Sequence, residues 1–361
     1  MSRILIAGGG TAGHVVPALA IADLLTERGY AVSFAGGPSG MEGTLVPRAG
    51  YPFSPVRIRG FTRRFGWTTL RTLASLPVAA VDAWRLLRRL RPACVVGVGA
   101  YASGPVVAEA AVLGIPAVAV EMDAHLGWTN RILSLLVDKV CLSFPIPDVR
   151  GEKYVYTGRP LRPSLLAATR EQGVTRFGLD PERVTLLVFG GSLGARSLNT
   201  AALAAFAGRE TPFQVLHVAG AQDYRRVAAG VREGGNPRYQ VFPFLEDFPL
   251  ALAAADLVVA RAGGSVAEIL ARGLPAILVP YPLATADHQT KNARALAEAG
   301  AALVIPDAEL DGPRLAAQVE RLLEPRARAA MAEAALSLAR PDATTRIVEH
   351  IVELTGPPHT A

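Results

Sequence analysis

The segment 258–292 constrains the fold of this chain more than any other part, because apolar runs and a glycine turn follow one another in a fixed order. Short apolar runs are typical of buried parallel strands, and paired glycines allow a sharp turn. The predicted elements are the strand Asp256–Ala260, the turn at Gly263 and Gly264, a helix from Ser265, the strand Ala276–Val279, and a polar loop with Asp287, His288 and Gln289. Loops at the carboxyl ends of strands form the ligand crevice of open α/β sheets, so this segment predicts two neighbouring binding loops.

The start of this helix has two interpretations. A glycine turn that leads into a helix presents backbone N–H groups and a positive dipole end, which suit a phosphate. Glu268 would then hold the two hydroxyls of a ribose. Alternatively, Ser265 and Glu268 fit a capping box, which satisfies only the free N–H groups of the helix.

The same pattern begins the chain. The strand Arg3–Ala7 precedes a turn whose glycines Gly8, Gly10 and Gly13 fit the fingerprint G-x-G-x-x-G, and Pro17–Arg28 is the predicted helix. That fingerprint also requires an acidic residue near the end of the next strand, but Ala31–Ala35 is followed by two glycines and a proline. We therefore interpret the turn as a phosphate cradle rather than an NAD site.

Near Gly158 the pattern pauses and then restarts. Val184–Phe189 is a predicted strand, a glycine turn follows it, and Ala195–Ala205 is a predicted helix. A chain of 361 residues, of which 50% are hydrophobic, can bury two cores. The prediction is an α/β protein with two Rossmann-like, doubly wound parallel-sheet domains, residues 1–157 and 158–341, that face each other across a cleft.

The net charge and the cysteines of the chain indicate which kind of partner it binds and in which compartment it resides. The net charge of +6 favours an anionic partner. Cys94 and Cys141 lie in apolar surroundings and are expected to be buried free thiols in a reducing compartment. The apolar stretch Cys94–Val120 is long enough to cross a bilayer, but its glycines and prolines favour a strand–loop–helix–strand unit.

The segment Arg57–Arg91 is strongly basic and carries Trp67 and Trp84 among aliphatic residues. Such a mixture suits the interface of an anionic membrane, and the alternative is an ordinary amphipathic helix with a solvated basic face. No nucleic-acid-binding module is recognisable, so a nucleic-acid partner is not expected. The arginines of the segment are Arg57, Arg59, Arg63, Arg64, Arg71, Arg85, Arg88, Arg89 and Arg91.

The motifs and polar residues of the sequence favour a reaction that uses neither a metal nor another cofactor. No Asp-x-Asp motif is present to clamp a nucleotide diphosphate through a metal, and the scattered histidines disfavour a zinc site. His14, at a helix start, would take a proton from an attacking hydroxyl, or it merely packs at the turn. Glu121 and Asp123 follow the strand Ala117–Val120, where they would line a ligand loop or cap a helix predicted at 128–137.

An ordered set of motifs resembles the MurG family of bacterial cell-wall glycosyltransferases. The motifs are GGGTAGHVVPALAIADLL, GAYASGP, EMDAHLGWTN, FGGSLGARSLN, ARAGGSVAEILARGLPAILVPYP and DHQTKNA, and together they extend over nearly the whole chain. The resemblance implies a GT-B fold, with an N-terminal acceptor- and membrane-binding domain and a C-terminal UDP-sugar-binding domain. It also implies that the last helix, residues 342–356, packs back on the N-terminal domain.

The resemblance implies an inverting, metal-independent transfer of N-acetylglucosamine from UDP-GlcNAc to the 4-hydroxyl of undecaprenyl-diphospho-muramoyl-pentapeptide. His14 matches the base of the family. The implied donor-binding residues are Thr11, Ala12, Gly13, Asp123, Arg162, Ser192, Leu245, Gly263, Gly264, Ser265, Val266, Ala267, Glu268 and Gln289. The implied acceptor- or membrane-contacting residues are Tyr101, Ser103, Trp67, Trp84, Arg85, Arg88 and Arg89.

Departures from the family pattern affect the donor site. Ala12 replaces a glycine, Asp123 replaces an asparagine, and the turn at Gly263–Ser265 is one residue short. Alternatives are another GT-B transferase acting on a different glycolipid or natural product, a nucleotide-sugar epimerase, or a non-catalytic nucleotide-sugar-binding membrane subunit. The expected location is the cytoplasmic face of the cell membrane, as a peripheral protein, with cell-wall synthesis and divisome proteins as further partners.

Overall fold

In a computed structural model of the protein, the described residues are 2–38, 40–57, 67–99, 101–146, 149–191, 194–284 and 287–358, with the backbone alone described at Ala12 and at 67–74. The chain divides into two compact units. The first unit is Met1–Arg162 with Arg340–Ala361, and the second unit is Pro163–Ala339. The boundary predicted between 157 and 158 lies a few residues before this division.

The first unit has an entirely parallel sheet in the strand order β3-β2-β1-β4-β5-β6-β7. Its central strands are apolar without alternation, because helices cover both faces of a parallel sheet. The strands are β1 (Arg3–Ala7), β2 (Ala31–Gly36), β3 (Phe53–Pro55), β4 (Cys94–Gly97), β5 (Ala117–Glu121), β6 (Lys139–Leu142) and β7 (Tyr154–Tyr156).

Helices cover both faces of this sheet. One core joins α1 to the C-terminal α15 through Ile347, Val348 and Ile351, and the core on the other face takes in α3 and α4. The helices of the first unit are α1 (Ala12–Glu27), α2 (Glu42–Arg48), α3 (Trp67–Leu90), α4 (Gly104–Val112), α5 (Trp128–Leu133) and α15 (Ala343–Thr355), with a short 3-10 helix at Tyr101–Ser103.

The second unit repeats the topology of the first. Its parallel sheet has the order β10-β9-β8-β11-β12-β13, with Phe206 and Phe213 among the largest side chains of its core. The strands are β8 (Thr185–Phe189), β9 (Gln214–Val218), β10 (Tyr239–Phe242), β11 (Leu257–Ala260), β12 (Ala276–Leu278) and β13 (Ala302–Val304). The helices are α6 (Pro163–Ala167), α7 (Arg170–Phe177), α8 (Arg196–Phe206), α9 (Tyr224–Gly234), α10 (Phe248–Ala254), α11 (Val266–Ala271), α12 (His288–Glu298), α13 (Gly312–Leu323) and α14 (Pro325–Leu338), with a 3-10 helix at Asp307–Glu309.

These sheets confirm the doubly wound α/β class, and two element predictions need correction. Helix α1 begins at Ala12 rather than at Pro17, because Thr11 adopts an extended conformation as the N-cap and its carbonyl accepts from the amides of His14 and Val15. Helix α5 ends at Leu133 rather than at Val137, since the amides of Leu135 and Leu136 bond three rather than four residues back and interrupt the α-helical pattern.

Candidate functional site

Both sheets reverse their strand order at one point, and the predicted binding loops follow the strands that flank it. In the first unit the reversal lies between β1 and β4, and in the second it lies between β8 and β11. Ligands of doubly wound folds bind outside the carboxyl ends of the strands at such a switch point. The turns after β1 and β11, which the sequence singled out, therefore lie where the topology places a ligand.

His14 lies in the first turn of α1, directly after the glycine turn. Its Nδ1 lies 3.2 Å from the Thr11 hydroxyl, and its other edge faces Gly99, whose added Cβ would come within 3.4 Å of Nε2. The pKa of His14 is lowered to about 4, first by burial and then by the charge of Arg159, while the charge of Asp123 partly opposes the shift. The imidazole is therefore neutral at pH 7 and able to accept a proton.

The glycine turn is organised by the buried carboxylate of Glu42, which the sequence did not single out. Glu42 accepts from the amides of Gly10 at 2.7 Å and Gly37 at 2.9 Å. At Gly9, where φ is +152°, an added Cβ would fall 2.1 Å from this carboxylate. One amide of this turn, that of Gly10, thus serves an internal carboxylate. The interpretation of the turn as a phosphate cradle stays a prediction.

The loop after β5 holds Asp123 at the same end of the sheet. The buried carboxylate of Glu121 accepts from the amides of Asp123 and Gly127 and from the side chain of Asn130. Burial raises the pKa of Glu121, and these three donors oppose that shift. The N-cap residue of α5 is Gly127, and Glu121 accepts from its amide, so Glu121 shapes both the loop and the start of the helix.

The predicted acceptor residues follow β4. Tyr101 is half-buried in the short 3-10 helix, with its hydroxyl near Gly37, whereas Ser103 is completely buried. An acceptor contact by either residue stays a prediction.

The structure at the helix start after β11 excludes one of the two interpretations made from the sequence, the capping box. Ser265 is helical and its side chain makes no capping hydrogen bond, so the capping box is not formed. The amides of Val266 and Ala267 donate instead to the carbonyls of Gly263 and Gly264. Glu268 is half-buried in the first turn of α11, while Val266, Ile269 and Leu270 pack in the core as predicted.

Gln289 approaches the same turn from α12. Its side-chain oxygen accepts from the amide of Tyr281 at 2.9 Å, and its nitrogen would lie 3.5 Å from a Cβ at Gly263. Asn292, one turn later, donates to the Ala262 carbonyl at 3.0 Å. The structure thus brings together two predicted donor-binding residues that are 26 positions apart in the chain.

Arg261 is a residue of this region that the sequence analysis missed. Its buried guanidinium donates to Asp307 at 2.6 Å, to Ser197 at 2.8 Å and to the carbonyls of Val279 and Pro280. These partners follow β8, β12 and β13, so one side chain ties four strand ends together. The signal available in the sequence was an arginine directly after an apolar strand.

The remaining predicted donor residues are placed as follows. Leu245 is buried in the loop between β10 and α10, and Arg162 is half-buried at the end of the first unit. Ser192 lies outside the described residues, and the side chains of Ala12 and Trp67 are not described. Their contacts with a donor or a membrane stay predictions.

An exposed apolar and basic surface covers part of the first unit. On α3, Trp84 is 44% exposed, with the Arg88 guanidinium 5.7 Å from its ring centroid, and Arg85 and Arg89 are exposed beside it. A second set of exposed apolar residues, which the sequence did not single out, lies on α5 and on the turn that follows. The exposed apolar residues there are Trp128 at 82%, Ile132 at 59%, Leu135 at 77% and Leu136 at 49%.

The described part of the chain contains no candidate metal centre and no candidate membrane span. No group of three or more histidine, cysteine, aspartate or glutamate residues there has an arrangement that could hold a metal ion. No helix there combines the length and the apolar composition that crossing a bilayer requires.

Comparison with known proteins adds independent findings. The glycosyltransferase family 28 N-terminal domain matches residues 4–142, and the C-terminal domain of the same family matches residues 185–347. A relative from Moorella thermoacetica is 44% identical over an alignment of 366 positions, which covers 97% of this chain and 98% of that protein. It is named UDP-N-acetylglucosamine--N-acetylmuramyl-(pentapeptide) pyrophosphoryl-undecaprenol N-acetylglucosamine transferase.

Solved structures agree with this finding. The crystal structure of Acinetobacter baumannii MurG superimposes with a TM-score of 0.79 at 31% identity, covering 98% of this chain and 100% of that one. A UDP-GlcNAc 2-epimerase from Neisseria meningitidis superimposes with a TM-score of 0.69 at only 12% identity, covering 98% of this chain and 100% of that one. The second similarity reflects the fold alone.

Proposed function

Because the chain belongs to glycosyltransferase family 28, we infer that it transfers N-acetylglucosamine from UDP-GlcNAc to undecaprenyl-diphospho-muramoyl-pentapeptide, the step that completes the lipid-linked disaccharide precursor of peptidoglycan. The observation that carries this conclusion is the 44% identity, over 97% of the chain, to a relative that bears this name. Transfer to a natural product is not favoured, since structures such as the calicheamicin glycosyltransferase CalG4 share only 19% identity.

His14 is the proposed base of the reaction. The neutral imidazole takes the proton from the 4-hydroxyl of the muramoyl sugar as its oxygen attacks the anomeric carbon of N-acetylglucosamine. The bond from that carbon to the diphosphate breaks, UDP leaves, and the anomeric configuration inverts. Burial and the charge of Arg159 keep the imidazole neutral, and its position at the N-terminus of α1 acts in the same direction.

The second unit supplies the proposed donor site. The turn at Gly263–Ser265 and the N-terminus of α11 receive the uridine diphosphate, Glu268 holds the ribose hydroxyls, and Gln289 contacts the sugar. A side chain at Gly263 would meet no closer atom than the Gln289 amide at 3.5 Å, so the glycine leaves room beside that amide. Arg162, Ser192 and Leu245 complete the proposed set by resemblance.

The test is transfer of labelled N-acetylglucosamine from UDP-GlcNAc to a lipid-linked muramoyl-pentapeptide analogue, with EDTA present. Product formation would support donor, acceptor and metal independence together. If UDP-GlcNAc bound without transfer, the acceptor assignment would be wrong. If it did not bind, the donor assignment would be wrong as well.

We also propose that the first unit docks on the cytoplasmic face of an anionic membrane through the surface formed by Trp84, Trp128 and the arginines of α3. Exposed aromatic and aliphatic side chains bordered by arginines favour insertion at the headgroup level. The membrane is where a lipid-linked acceptor resides. Partners from the cell-wall and division machinery stay a prediction from the resemblance.

Vesicle co-sedimentation tests this docking. Replacement of Arg85, Arg88 and Arg89 by alanine should weaken binding to anionic vesicles at moderate salt, because each arginine near the surface contributes about 1 kcal/mol. The matched control replaces three exposed arginines of the second unit, Arg225, Arg321 and Arg326, and changes the net charge equally. Equal binding by both triple variants would contradict the docking surface.

A further inference from the structure

Arg159 is a buried arginine that makes two hydrogen bonds to the backbone, in addition to lowering the pKa of His14 by its charge. It follows β7 and is 7% exposed. One end of its guanidinium donates to the Met122 carbonyl at 2.8 Å, and the other donates to the Gly13 carbonyl. In each case the accepting residue directly precedes a residue of the site, since Gly13 precedes His14 and Met122 precedes Asp123.

The Gly13 carbonyl needs an outside donor because of Pro17. In an α-helix this carbonyl would accept from the amide of the residue four positions later, and that residue is a proline inside α1. The first turn of the helix, which carries His14, therefore lacks one of its own hydrogen bonds. The Arg159 guanidinium donates to the Gly13 carbonyl in place of the missing amide.

The chemistry of arginine suits this bridge. A guanidinium is planar and presents several donors in a rigid fork, so it can satisfy two carbonyls in a fixed relative position. A lysine ammonium carries the same charge without that geometry. The fork joins the first turn of α1 to the loop after β5, and these two segments carry His14 and Asp123.

We propose that Arg159 is a positioning residue for the transfer reaction, which fixes His14 relative to Asp123 by joining the carbonyls of Gly13 and Met122. The inference rests on the proposed function, because His14 has a fixed task only if it serves as the base. Arg159 acts through these two backbone segments and contacts no reacting atom in this role.

The first test separates turnover from binding. Arg159→Met and Arg159→Lys should both lower kcat, by roughly 10-fold to 100-fold, because a small misplacement of a catalytic group has effects of this size. The KM for UDP-GlcNAc should change by less than about 3-fold, since its proposed site lies in the second unit. The control is Arg238→Met, which removes a guanidinium that donates to the Thr211 carbonyl in the second unit.

The pH profile distinguishes positioning from simple electrostatics. The charged groups that act on His14 are Arg159 and Asp123. Loss of the arginine charge should raise the pKa of His14 and move the acidic limb of kcat/KM to higher pH in Arg159→Met but not in Arg159→Lys. A purely electrostatic role would leave the lysine variant fully active, whereas positioning predicts that both variants lose turnover.

Pro17 provides the decisive double-variant cycle. Pro17→Ala restores an amide that can donate to the Gly13 carbonyl, so the helix would no longer depend on Arg159 for that bond. Arg159→Met should therefore reduce kcat less in the Pro17→Ala background than in the native background. Equal losses in both backgrounds would refute the proposal.

A measurement without substrate keeps this test independent of activity. The pKa of the His14 imidazole, followed by NMR and assigned with a His14→Gln variant, should rise in Arg159→Met whether or not transfer occurs. If the native protein transfers no sugar, the proposed function fails. If it transfers sugar and the Arg159 variants keep native kcat and native His14 pKa, only the present inference fails. Thermal unfolding of each variant shows whether a loss of turnover reflects a loss of folding.

Discussion

Replacing Glu268 by glutamine tests how the second unit holds a nucleotide. The carboxylate lies half-buried in the first turn of α11, beyond the glycine turn, and Ser265 does not use this turn for a cap. If the carboxylate accepts hydrogen bonds from ribose hydroxyls, Glu268→Gln removes a charge-assisted acceptor. Hydrogen bonds to a charged group contribute about 1.5–3 kcal/mol, which corresponds to a rise in Kd of roughly 10-fold to 150-fold.

Isothermal titration calorimetry with UDP and with 2′-deoxy-UDP provides the assay. Glu268→Gln should weaken binding of UDP by that factor and should weaken binding of 2′-deoxy-UDP much less, because one of the lost partners is already absent. The control is Glu298→Gln, at an exposed glutamate of α12. This variant loses the same charge outside the proposed site and should keep Kd within about 3-fold of the native value.

Either of two results would refute the assignment of Glu268 to the ribose. Native affinity of Glu268→Gln for UDP would show that the carboxylate does not contact the ribose. An equal loss for UDP and 2′-deoxy-UDP would show that Glu268 does not contact the 2′-hydroxyl. A loss of more than about 1 kcal/mol of stability in Ser265→Ala would instead revive the capping interpretation.

Three further predictions concern single residues. His14→Gln should lower kcat by roughly 10²-fold to 10⁴-fold while Kd for UDP-GlcNAc, measured by calorimetry, changes little; unchanged turnover would exclude His14 as the base. Burial lowers the pKa of His217 to about 3, so the unfolded chain, with a reference value near 6.5, binds a proton that the folded unit does not. The corresponding stability is complete above pH 6.5 and declines on acidification, by roughly 2 kcal/mol between pH 7 and pH 5, and urea unfolding should show a shallower pH dependence in His217→Gln. Glu42→Gln should destabilise the protein by about 1–3 kcal/mol, because its new NH₂ group would face the amide of Gly10 or Gly37; a thermal midpoint equal to the native one would contradict this.

The tests of Arg159, Glu268 and the arginines of α3 concern different parts of the same proposed reaction. The Arg159 variants should affect kcat, the Glu268 variant should affect nucleotide affinity, and the arginine triple variant should affect membrane binding. A result in which all three changed the same quantity would indicate a general loss of folding. The separate assignments therefore serve as controls for one another.

Local sequence was sufficient for the fold class and for most strands. Apolar runs such as Arg3–Ala7 and Thr185–Phe189 are strands within a residue of the predicted bounds, and the interrupted stretch 94–120 is strand, helix and strand rather than a membrane span. These features depend on short-range patterns of apolar residues and on glycine turns, which can be predicted from neighbouring residues alone. The position of His14 directly after a glycine turn could be predicted in the same way.

Tertiary structure decided which distant groups organise the site. Glu42, Arg261 and Arg159 bind backbone groups or side chains that lie between 5 and 146 positions away in the sequence. Such partners cannot be predicted from the residues on either side. In α1, likewise, the Gly13 carbonyl that Pro17 leaves without its helical donor accepts from the distant Arg159. The sequence by itself determined strands, turns and the chemical types available, whereas folding determined which buried charges meet which carbonyls and amides. The physical reason is that a buried polar group must be satisfied by whatever the fold brings to it.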